Sequence, residues 1–399
     1  MIESTFLEKL LEGAEVEWQA LETCATIERG RRVVKSDLSP EKKYPVYSGG
    51  VTLMGYYENY NQKKETVTIV KYGTAGFVNF IKADFWANDV CYCMKPSPLL
   101  NNKYLFYFLK NRQYDIQSLA TDAIPAHLPT EAISSYLIPI PCPENPEKSL
   151  AIQAEIVRIL DTFTELAAEL TAELTARTKQ YNYYRDQLLV SQEVEAEWMP
   201  LGQIGEPRMC KRILKNQTST EGEIPFYKIG TFGKVPDSFI LKELFEDYRE
   251  RYNYPKIGEV LISASGTIGR SVIFDGEVSY FQDSNIVWIE NDECLVLNKY
   301  LFYFYQIIKW HIADGGVIKR LYNDNIRKSE ILVPYANDPK RSLAEQARIV
   351  AILDKFDTLT QSMSEGLPRE IELRQKQYEY YRDLLLNFPK PEHQTEEVA

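Results

Sequence analysis

SLAIQAEIVRILDTFTELAAELTAELTARTKQYNYYRDQLL, residues 149–189, decides the organisation of this chain because the chain contains it twice. SLAEQARIVAILDKFDTL returns at 342–359, and RQKQYEYYRDLLL returns at 374–386. Between these anchors the second copy is longer by a short insertion around Ser364–Glu370. A repeat this well preserved predicts two equivalent structural units.

Both copies place apolar residues at alternating spacings of four and three, the heptad pattern of a helix with a packing seam. A helix over each block would be about 60 Å long, too long for one compact globule. We therefore expect two long helices that form an antiparallel intramolecular coiled coil, with a break near Gly366 and Pro368. Two ordinary amphipathic core helices are the alternative. The predicted packing residues are Ile156, Leu160, Phe163, Leu170, Leu174, Tyr181, Ile349, Leu353, Phe356, Tyr378 and Tyr381.

The sequence before each helical block is β-rich. Strand-like runs at 67–70, 77–81 and 90–94 are separated by glycines, as are runs at 260–263, 271–274 and 286–289. KYLFYFLK at 103–110 predicts a short buried helix, and KYLFYFYQ at 299–306 is its counterpart. IPIPCPENP at 138–146 is interpreted as an extended proline linker that leads to a helix capped by Ser149. The expected class is α+β, with two β-rich domains in tandem pseudo-symmetric repeat.

LLEGAEVEW, near the start of the chain, resembles LLVSQEVEAEW at 188–198. The N-terminal segment is therefore expected to lie beside the C-terminal helical block and to complete it. The predicted divisions are an N-terminal segment 1–17, a first β-rich domain 18–145, a central helical region 146–197, a second β-rich domain 198–340, a C-terminal helical region 341–388 and an acidic tail 389–399.

Composition restricts the class of protein. No apolar run approaches the length of a membrane span, and the six cysteines form neither a CxxC pair nor a zinc-ligand pattern. A reducing cytoplasm is the expected location. The net charge of −11 argues against nucleic acid at first sight, but acidic residues gather in the helical blocks while basic residues cluster elsewhere.

No catalytic motif is found in the sequence. It contains no phosphate-binding P-loop, no HExxH and no amino-methyltransferase motif of the Asn/Asp-Pro-Pro-aromatic type. His127 and His311 are isolated, and GTIGR at 266–270 lacks the spacing of a dinucleotide fingerprint. We predict no catalytic residue and no metal site.

Basic, glycine-flexed loops instead indicate DNA binding, because phosphates need cationic donors and base edges need Arg, Lys, Asn or Gln. Solvated charged loops are the alternative for any single residue. The candidate DNA-binding residues are Arg29, Arg31, Arg32, Lys35, Lys63, Lys64, Lys71, Tyr72, Thr74, Lys211, Arg212, Lys215, Ser265, Thr267, Arg270, Lys319, Arg320, Tyr322 and Asn323.

Two variable domains, each followed by a block reading QxxIVxILDxF and KQYxYYRD, resemble the specificity subunit of a Type I restriction–modification enzyme, and most closely its IC branch. The resemblance covers the whole chain and is most specific in the helical blocks. It implies that each β-rich domain is a target-recognition domain for one half of a bipartite, asymmetric DNA sequence. It also implies a non-catalytic chain, with helical blocks that dock two modification (methyltransferase) subunits, to which restriction (translocase–endonuclease) subunits are added.

The resemblance places S-adenosylmethionine, ATP and Mg on those partner subunits, with no cofactor on this chain. It further links AELTAEL at 168–174 to the length of the spacer between the half-sites. Two rival functions stay open at this point: a stand-alone coiled-coil scaffold, and a DNA-binding protein fused to its own nuclease or methyltransferase activity.

Overall fold

The computed structural model describes residues 6–190, 195–312, 319–362 and 365–389. The acidic tail, apart from Pro389, and part of the GGVIKRLYNDN segment lie outside these ranges. The chain divides into two compact units: unit 1 comprises residues 1–171 and 370–399, and unit 2 comprises residues 172–369. Each unit combines one β-rich region with parts of both helical blocks. The six divisions predicted from the sequence mark changes in sequence pattern, whereas the two units are defined by contacts within the structure. The units therefore do not test these divisions, which stay a prediction.

The elements follow one another in two similar series. The first series is α1 (Phe6–Leu11), β1 (Val16–Ala20), α2 (Leu21–Cys24), β2 (Ala25–Arg29), β3 (Tyr44–Tyr47), β4 (Gly55–Tyr57), β5 (Thr66–Val70), β6 (Val78–Ile81), β7 (Trp86–Ala87), β8 (Cys91–Pro96), α3 (Asn102–Asn111), α4 (Gln113–Ser118), α5 (Thr130–Ser134) and β9 (Leu137–Pro141). The long helix α6 (Pro146–Val190) follows.

The second series is β10 (Ala196–Pro200), α7 (Leu201–Ile204), β11 (Gly205–Arg208), β12 (Ile224–Tyr227), β13 (Phe239–Ile240), α8 (Lys242–Arg251), β14 (Val260–Ser263), β15 (Ser271–Ile273), β16 (Tyr280–Phe281), β17 (Ile286–Asn291), α9 (Asn298–Tyr305), α10 (Asn323–Lys328) and β18 (Glu330–Pro334). The helices α11 (Pro339–Gln361) and α12 (Gly366–Leu386) complete the described chain.

The two β-rich regions share one sheet topology. Unit 1 has a four-stranded sheet in the order β2-β8-β5-β6, a three-stranded sheet β4-β3-β7 and the pair β1-β9. Unit 2 repeats this with β11-β17-β14-β15, β13-β12-β16 and β10-β18. The predicted α+β class with tandem β-rich domains is confirmed, and so are the predicted strands and the two short helices α3 and α9.

The interpretation of residues 138–146 as a linker is wrong for residues 138–141, whereas residues 142–145 do connect to the helix α6. Residues 137–141 form β9, which pairs antiparallel with β1 in a register that sets Pro139 opposite Trp18 and Pro141 opposite Val16. Proline lacks an N–H, so it is tolerated where a strand pairs along one edge only. In this two-stranded sheet the prolines take positions that need no donor.

Ser149 is not the helix cap either. The helix α6 begins at Pro146, and the side chain of Asn145 accepts a hydrogen bond from the amide of Lys148 at 3.0 Å. Ser149 is buried, and its hydroxyl accepts a hydrogen bond from Gln153. At the start of α11, Asp338 plays the capping role, accepting from the amide of Arg341 at 3.2 Å.

A buried glutamine anchors each helical block to its β-rich region. In unit 1, Gln153 accepts from the amide of Asn101 at 2.7 Å and donates to the carbonyl of Leu99 at 3.2 Å. In unit 2, Gln346 accepts from the amide of Leu297 at 2.9 Å and donates to the carbonyl of Leu295 at 3.0 Å. The duplicated sequence therefore repeats its hydrogen bonds as well as its apolar seam.

Aromatic contacts show that the helices run antiparallel in unit 2. Tyr184 of α6 stacks on Phe356 of α11, with ring centroids 5.9 Å apart. Farther along α6, Leu188 and Leu189 lie by Arg348 and Ile349, which precede Phe356 in α11. In unit 1, Phe163 of α6 stacks on Tyr381 of α12 at 5.1 Å. This arrangement agrees with the predicted antiparallel coiled coil.

The packing residues predicted from the heptads do not share one environment. Ile156 and Leu160 belong to the core of unit 1, where Leu105 and Tyr104 of α3 also lie. Leu170 and Leu174 are only half-buried. The remaining predicted residues are divided between a buried set of Tyr181, Ile349 and Leu353 and a half-buried set of Phe163, Phe356, Tyr378 and Tyr381.

The second helical block is broken where the sequence predicts a break. α11 ends at Gln361 and α12 begins at Gly366. Gly366 has a φ of +75°, and a Cβ there would lie 2.3 Å from the carbonyl oxygen of Thr358. A side chain at this position is therefore excluded by both strain and space.

The described N-terminal residues pack beside the C-terminal helix within unit 1. Leu7 and Leu11 of α1 share a buried cluster with Leu385, Leu386 and Phe388. The indole of Trp18 donates to the carbonyl oxygen of Pro389 at 2.8 Å.

Candidate nucleic-acid interface

In unit 1, the loops that follow β2 and β5 leave the four-stranded sheet at the same end. β2 ends with Arg29 opposite Tyr92, and β5 ends with Val70 opposite Cys91. Both partners lie at the start of β8. The register therefore brings together two predicted segments that are far apart in sequence, residues 29–35 and residues 71–74.

Hydrogen bonds hold these loops in place, and those of Asn88 are buried. The side chain of Asn88 accepts from the amide of Val33 at 3.2 Å and donates to the carbonyl of Val33 at 3.1 Å. Thr74 donates to the carbonyl of Gly49 through its amide at 2.9 Å and its hydroxyl at 3.0 Å. Gly73, with a φ of +95°, leaves no room for a Cβ, which would lie 2.4 Å from the same carbonyl oxygen.

The cations of this surface fall into two kinds. Arg31, Arg32 and Lys35 are exposed, and in the described part of the chain their side chains have no hydrogen-bond or ion-pair partner. Arg29 instead donates to the carbonyl of Asp89 at 2.6 Å. Lys71 is half-buried, with its ammonium 5.5 Å from the ring of Tyr72. The first three residues are thus available for an anionic ligand.

His127, which the sequence leaves isolated, lies at this surface. Its ring stacks on Tyr72 with centroids 5.5 Å apart, and its Nδ1 lies 2.8 Å from the hydroxyl of Thr121. The contact depends on a bridge between chain-distant segments. No local sequence signal could have paired them.

Lys63 and Lys64 are not part of this cluster. They precede β5 and so lie at the opposite end of that strand from Lys71. The ammonium of Lys63 donates to the hydroxyl of Tyr60 at 2.7 Å, and the amide of Lys64 donates to Asp84 at 2.8 Å.

Unit 2 repeats the arrangement. β11 ends with Arg208 opposite Trp288, and β14 ends with Ser263 opposite Ile286 at the start of β17. The loops 209–215 and 264–270 therefore leave the sheet at one end. Ser265 bridges to Arg320, which adds the segment 319–323 to the same surface.

Two predicted arginines of unit 2 are engaged within the protein. Arg320 donates to the carbonyl of Ser284 at 2.8 Å, to its hydroxyl at 2.7 Å and to the side chain of Asn285 at 3.2 Å. Arg270 donates to the carbonyl of Phe232 at 3.1 Å. These guanidinium groups hold the loops together, and their hydrogen-bonding capacity is partly spent.

Other groups of this surface face solvent. Arg212 and Lys215 are exposed and have no side-chain partner among the residues described here. Lys211 is exposed with its ammonium 4.9 Å from the ring of Tyr252. The remaining predicted residues comprise Thr267, Lys319 and Tyr322, which are exposed, and Ser265 and Asn323, which are half-buried.

Lys234 is a candidate that the sequence reasoning missed. It is exposed in the loop after β12, which is tied to the same end of the sheet by the hydrogen bond from the amide of Ile229 to Gln282 at 3.0 Å. The similarity of IPFYKIG at 224–230 to YPVYSGG at 44–50 could have pointed to this loop.

Cys24, Cys91 and Cys210 are buried thiols. Burial raises the pKa of the Cys91 and Cys210 thiols to about 12 and that of Cys24 to about 11, which suppresses the nucleophilic thiolate form. Among the residues that the structure describes, no cluster of three or more His, Cys, Asp or Glu side chains could hold a metal ion. Within the same ranges, no helix is apolar over the length that crossing a membrane requires.

The fold repeats one β-rich region with basic loops, which is the architecture of a protein with two similar binding regions. Comparison with known proteins identifies its family. The family described as "Type I restriction modification DNA specificity domain" matches residues 15–180 and 193–373. The chain belongs to this family of type I restriction–modification specificity subunits, as the sequence resemblance predicts.

The relatives are similar over nearly their whole length. A candidate type I restriction enzyme specificity subunit of Haemophilus influenzae is 52% identical over 397 residues, covering 96% of this chain and 98% of the relative. A type I restriction enzyme specificity subunit of Escherichia coli is 39% identical over 426 residues, covering 98% and 99%.

A solved structure shares the fold. The type I restriction–modification S subunit of M. genitalium superposes with a TM-score of 0.60 at 17% identity, covering 95% of this chain and 97% of that one. At this identity the likeness concerns the fold alone.

Proposed function

We propose that this chain is the DNA-reading subunit of a type I restriction–modification complex. Each β-rich region would bind one half of a bipartite, asymmetric DNA sequence, and the helical blocks would dock two modification subunits. Restriction subunits would join that complex. The chain itself would be non-catalytic and would work in the cytoplasm, a location that the six free cysteines favour.

One observation carries the proposal. In each β-rich region, loops of unlike sequence leave the four-stranded sheet at the corresponding end. Each set of loops contains exposed cations whose side chains have no partner among the described residues. Exposed Arg and Lys bind phosphates and position a protein on the duplex, whereas unlike loops can read different bases. Two sets of unlike loops on similar sheets fit a DNA ligand that has two different half-sites.

In this proposal, catalysis belongs to the modification and restriction subunits. Methyl transfer from S-adenosylmethionine would occur on the modification subunits, and cleavage driven by ATP with Mg would occur on the restriction subunits. The duplicated sequence and the relatives named above support this division of work.

The test is a single-molecule map of methylated adenines in cells that express this chain with its cognate modification subunit. We expect a split, asymmetric motif that is absent from cells lacking the chain. A soluble complex of the two proteins that gives no chain-dependent methylation would contradict the proposal. Exchanging residues 18–145 for those of a relative should then change only one half of the motif.

A further inference from the structure

The loop at residues 121–128 of unit 1 is tied at both ends to the surface that carries the cationic loops. The amide of Thr121 donates to the carbonyl of His127 at 2.9 Å, which closes the base of the loop. The amide of Leu128 donates to the carbonyl of Lys71 at 2.8 Å, just after β5. Residues 122–126 therefore form a short excursion that starts and ends at the same end of the four-stranded sheet.

The base of this loop is fixed by buried contacts. Leu128 is fully buried, and its carbonyl accepts a hydrogen bond from the hydroxyl of Tyr92 at 3.1 Å. The ring of His127 stacks on that of Tyr72. A loop held at its base loses less conformational freedom when its tip binds a ligand than a free loop would.

The tip of the loop is apolar and exposed. Ala123, Ile124 and Pro125 follow one another there, and Ile124 is 101% exposed. This side chain contributes nothing to the core. Single exposed aliphatic residues are common on proteins, but this one stands at the tip of a tied loop, on the surface where exposed arginines and a lysine lack a partner among the described residues.

Unit 2 repeats the base of the loop. The amide of Leu321 donates to the carbonyl of Ala264 at 2.8 Å, and Leu321 is buried. Aligning Leu321 with Leu128 places Val317 opposite Ile124 in the sequence. Val317 lies outside the described residues, so only its identity is compared. An aliphatic residue thus occupies the same sequence position in both copies, whereas His127 is replaced by Arg320.

The chemistry of the tip favours the stacked bases over the phosphates. An isoleucine side chain has no hydrogen-bonding group, so on DNA it can cover only apolar surface, which the bases provide. Isoleucine and proline are among the side chains that proteins insert between base pairs, partly unstacking them. The carboxylate of Asp122, also exposed, would be repelled by phosphates but can accept a hydrogen bond from a cytosine amino group in a groove.

We propose that Ile124 is an apolar wedge that enters the half-site bound by unit 1 and partly unstacks one base step. The surrounding cations hold the phosphates while the wedge adds selectivity, because the energy of unstacking depends on the step and is lowest at flexible pyrimidine–purine steps. The inference rests on the proposed function, in which unit 1 binds one half of the DNA site.

The experiment uses the full chain in complex with its modification subunit and a duplex that carries the mapped methylation site. 2-Aminopurine replaces one adenine at a time, and its fluorescence rises where the neighbouring bases unstack. We expect a rise at one step of one half-site, and Ile124→Ala should abolish it. A rise at the methylated adenine itself reports base flipping by the modification subunit and should persist in the variant.

Fluorescence anisotropy across a salt series gives the affinity for the same duplex. Ile124→Ala should weaken binding by about tenfold, as expected for the loss of a buried aliphatic contact. The slope of log affinity against log salt should stay unchanged, because no phosphate contact is removed.

Two further variants serve as controls. Ile124→Met keeps an apolar side chain of similar size and should retain both the fluorescence rise and the affinity. Leu99→Ala removes an aliphatic side chain that is 53% exposed beyond the other end of β8. It should change neither quantity.

An Ile124→Ala variant that keeps the fluorescence rise would overturn the wedge, whatever its affinity, and would leave the proposed function intact. The same holds for an unaltered complex that binds the duplex with no rise other than that at the methylated adenine. An unaltered complex that does not bind the duplex would instead overturn the proposed function itself.

Discussion

Glu259 is a buried carboxylate in unit 2 that lacks a full set of partners. It is 2% exposed, and its Oε2 accepts from the amide of Lys256 at 2.7 Å. Its Oε1 has no hydrogen-bond partner in the described structure. Burial raises the pKa of this carboxyl above its usual value.

Replacing Glu259 with Gln should stabilise the protein at neutral pH. Because the folded-state pKa is raised, the folded chain binds more protons than the unfolded chain between the two pKa values, and stability falls as pH rises through that window. Gln keeps the acceptor for Lys256 and carries no charge. Thermal melts should show a higher midpoint for Glu259→Gln at about pH 7, with the difference shrinking towards about pH 4.

Glu243→Gln, on the exposed side of α8, is the control and should change the midpoint little at any of these pH values. A lower midpoint for Glu259→Gln than for the unaltered chain at neutral pH would contradict this prediction.

Exposed cations at the two ends of the four-stranded sheets should behave differently on substitution. Lys211→Ala with Arg212→Ala removes two exposed cations, so DNA affinity should fall and the slope of log affinity against log salt should become shallower by about 1 per lost phosphate contact. Fluorescence anisotropy across a salt series measures both quantities. Lys64→Ala with Lys82→Ala, at the far end of the sheet in unit 1, should leave both unchanged. Equal effects of the two pairs would contradict the assignment of the surface.

At the scale of single elements, α6 is the informative one. It is one helix of 45 residues, about 68 Å long, and it contains the tandem tetrapeptides of AELTAEL. In this tract Leu170 and Leu174 are half-buried, whereas Ala168, Glu169 and Thr171 are exposed. The helix is continuous through the tract, so an inserted tetrapeptide can extend it without a turn.

Inserting one further AELT after Thr175 should therefore lengthen the spacer of the recognised DNA sequence and leave both half-sites unchanged. Four residues add about 6 Å and roughly one turn plus 40° to an α-helix. Methylated-adenine mapping of the variant reads the spacer directly. Altered half-sites with an unaltered spacer would contradict this role for the tract, and replacing one AELT by AQLT provides a control of unchanged length.

At the scale of the whole molecule, each unit has its own buried core. Leu105 of α3 is fully buried in unit 1, and Leu301 of α9 is buried in unit 2. Each leucine belongs to the helix that its unit packs against the four-stranded sheet. The two cores consist of different residues, although α6 contributes residues to both.

Leu105→Ala and Leu301→Ala should destabilise different units. Each substitution creates a cavity and costs about 2–5 kcal/mol. Hydrogen exchange should accelerate in β5 and α3 for Leu105→Ala, and in β14 and α9 for Leu301→Ala. Val51→Ala, at an exposed loop position of unit 1, is the control. Equal acceleration in both units for either leucine variant would mean that the chain unfolds as one cooperative structure.

Particular residues show how far the sequence alone could be interpreted. The apolar runs at 67–70 and 260–263 predict strands correctly because buried strands need little beyond local hydrophobicity. The break at Gly366 follows from a backbone conformation that other residues avoid. The linker prediction fails at residues 138–141 because Pro139 and Pro141 argue against a strand, and only the single pairing with β1 makes them acceptable.

The candidate DNA-binding residues were harder to predict than the fold. Arg212 and Arg320 both stand in basic loops, and nothing local distinguishes them. Arg320 is engaged because strand register brings Ser284 and Asn285, more than thirty residues away in sequence, to its guanidinium group. Arg212 is left exposed by the same register.

The sequence by itself determined the duplicated helical blocks, the β-rich regions before them and the family, since periodicity, composition and repeated motifs are local properties of the chain. The tertiary structure decided which basic residues are exposed and which loops meet at one end of each sheet. Those features depend on contacts between distant segments, which are set by strand register and helix pairing.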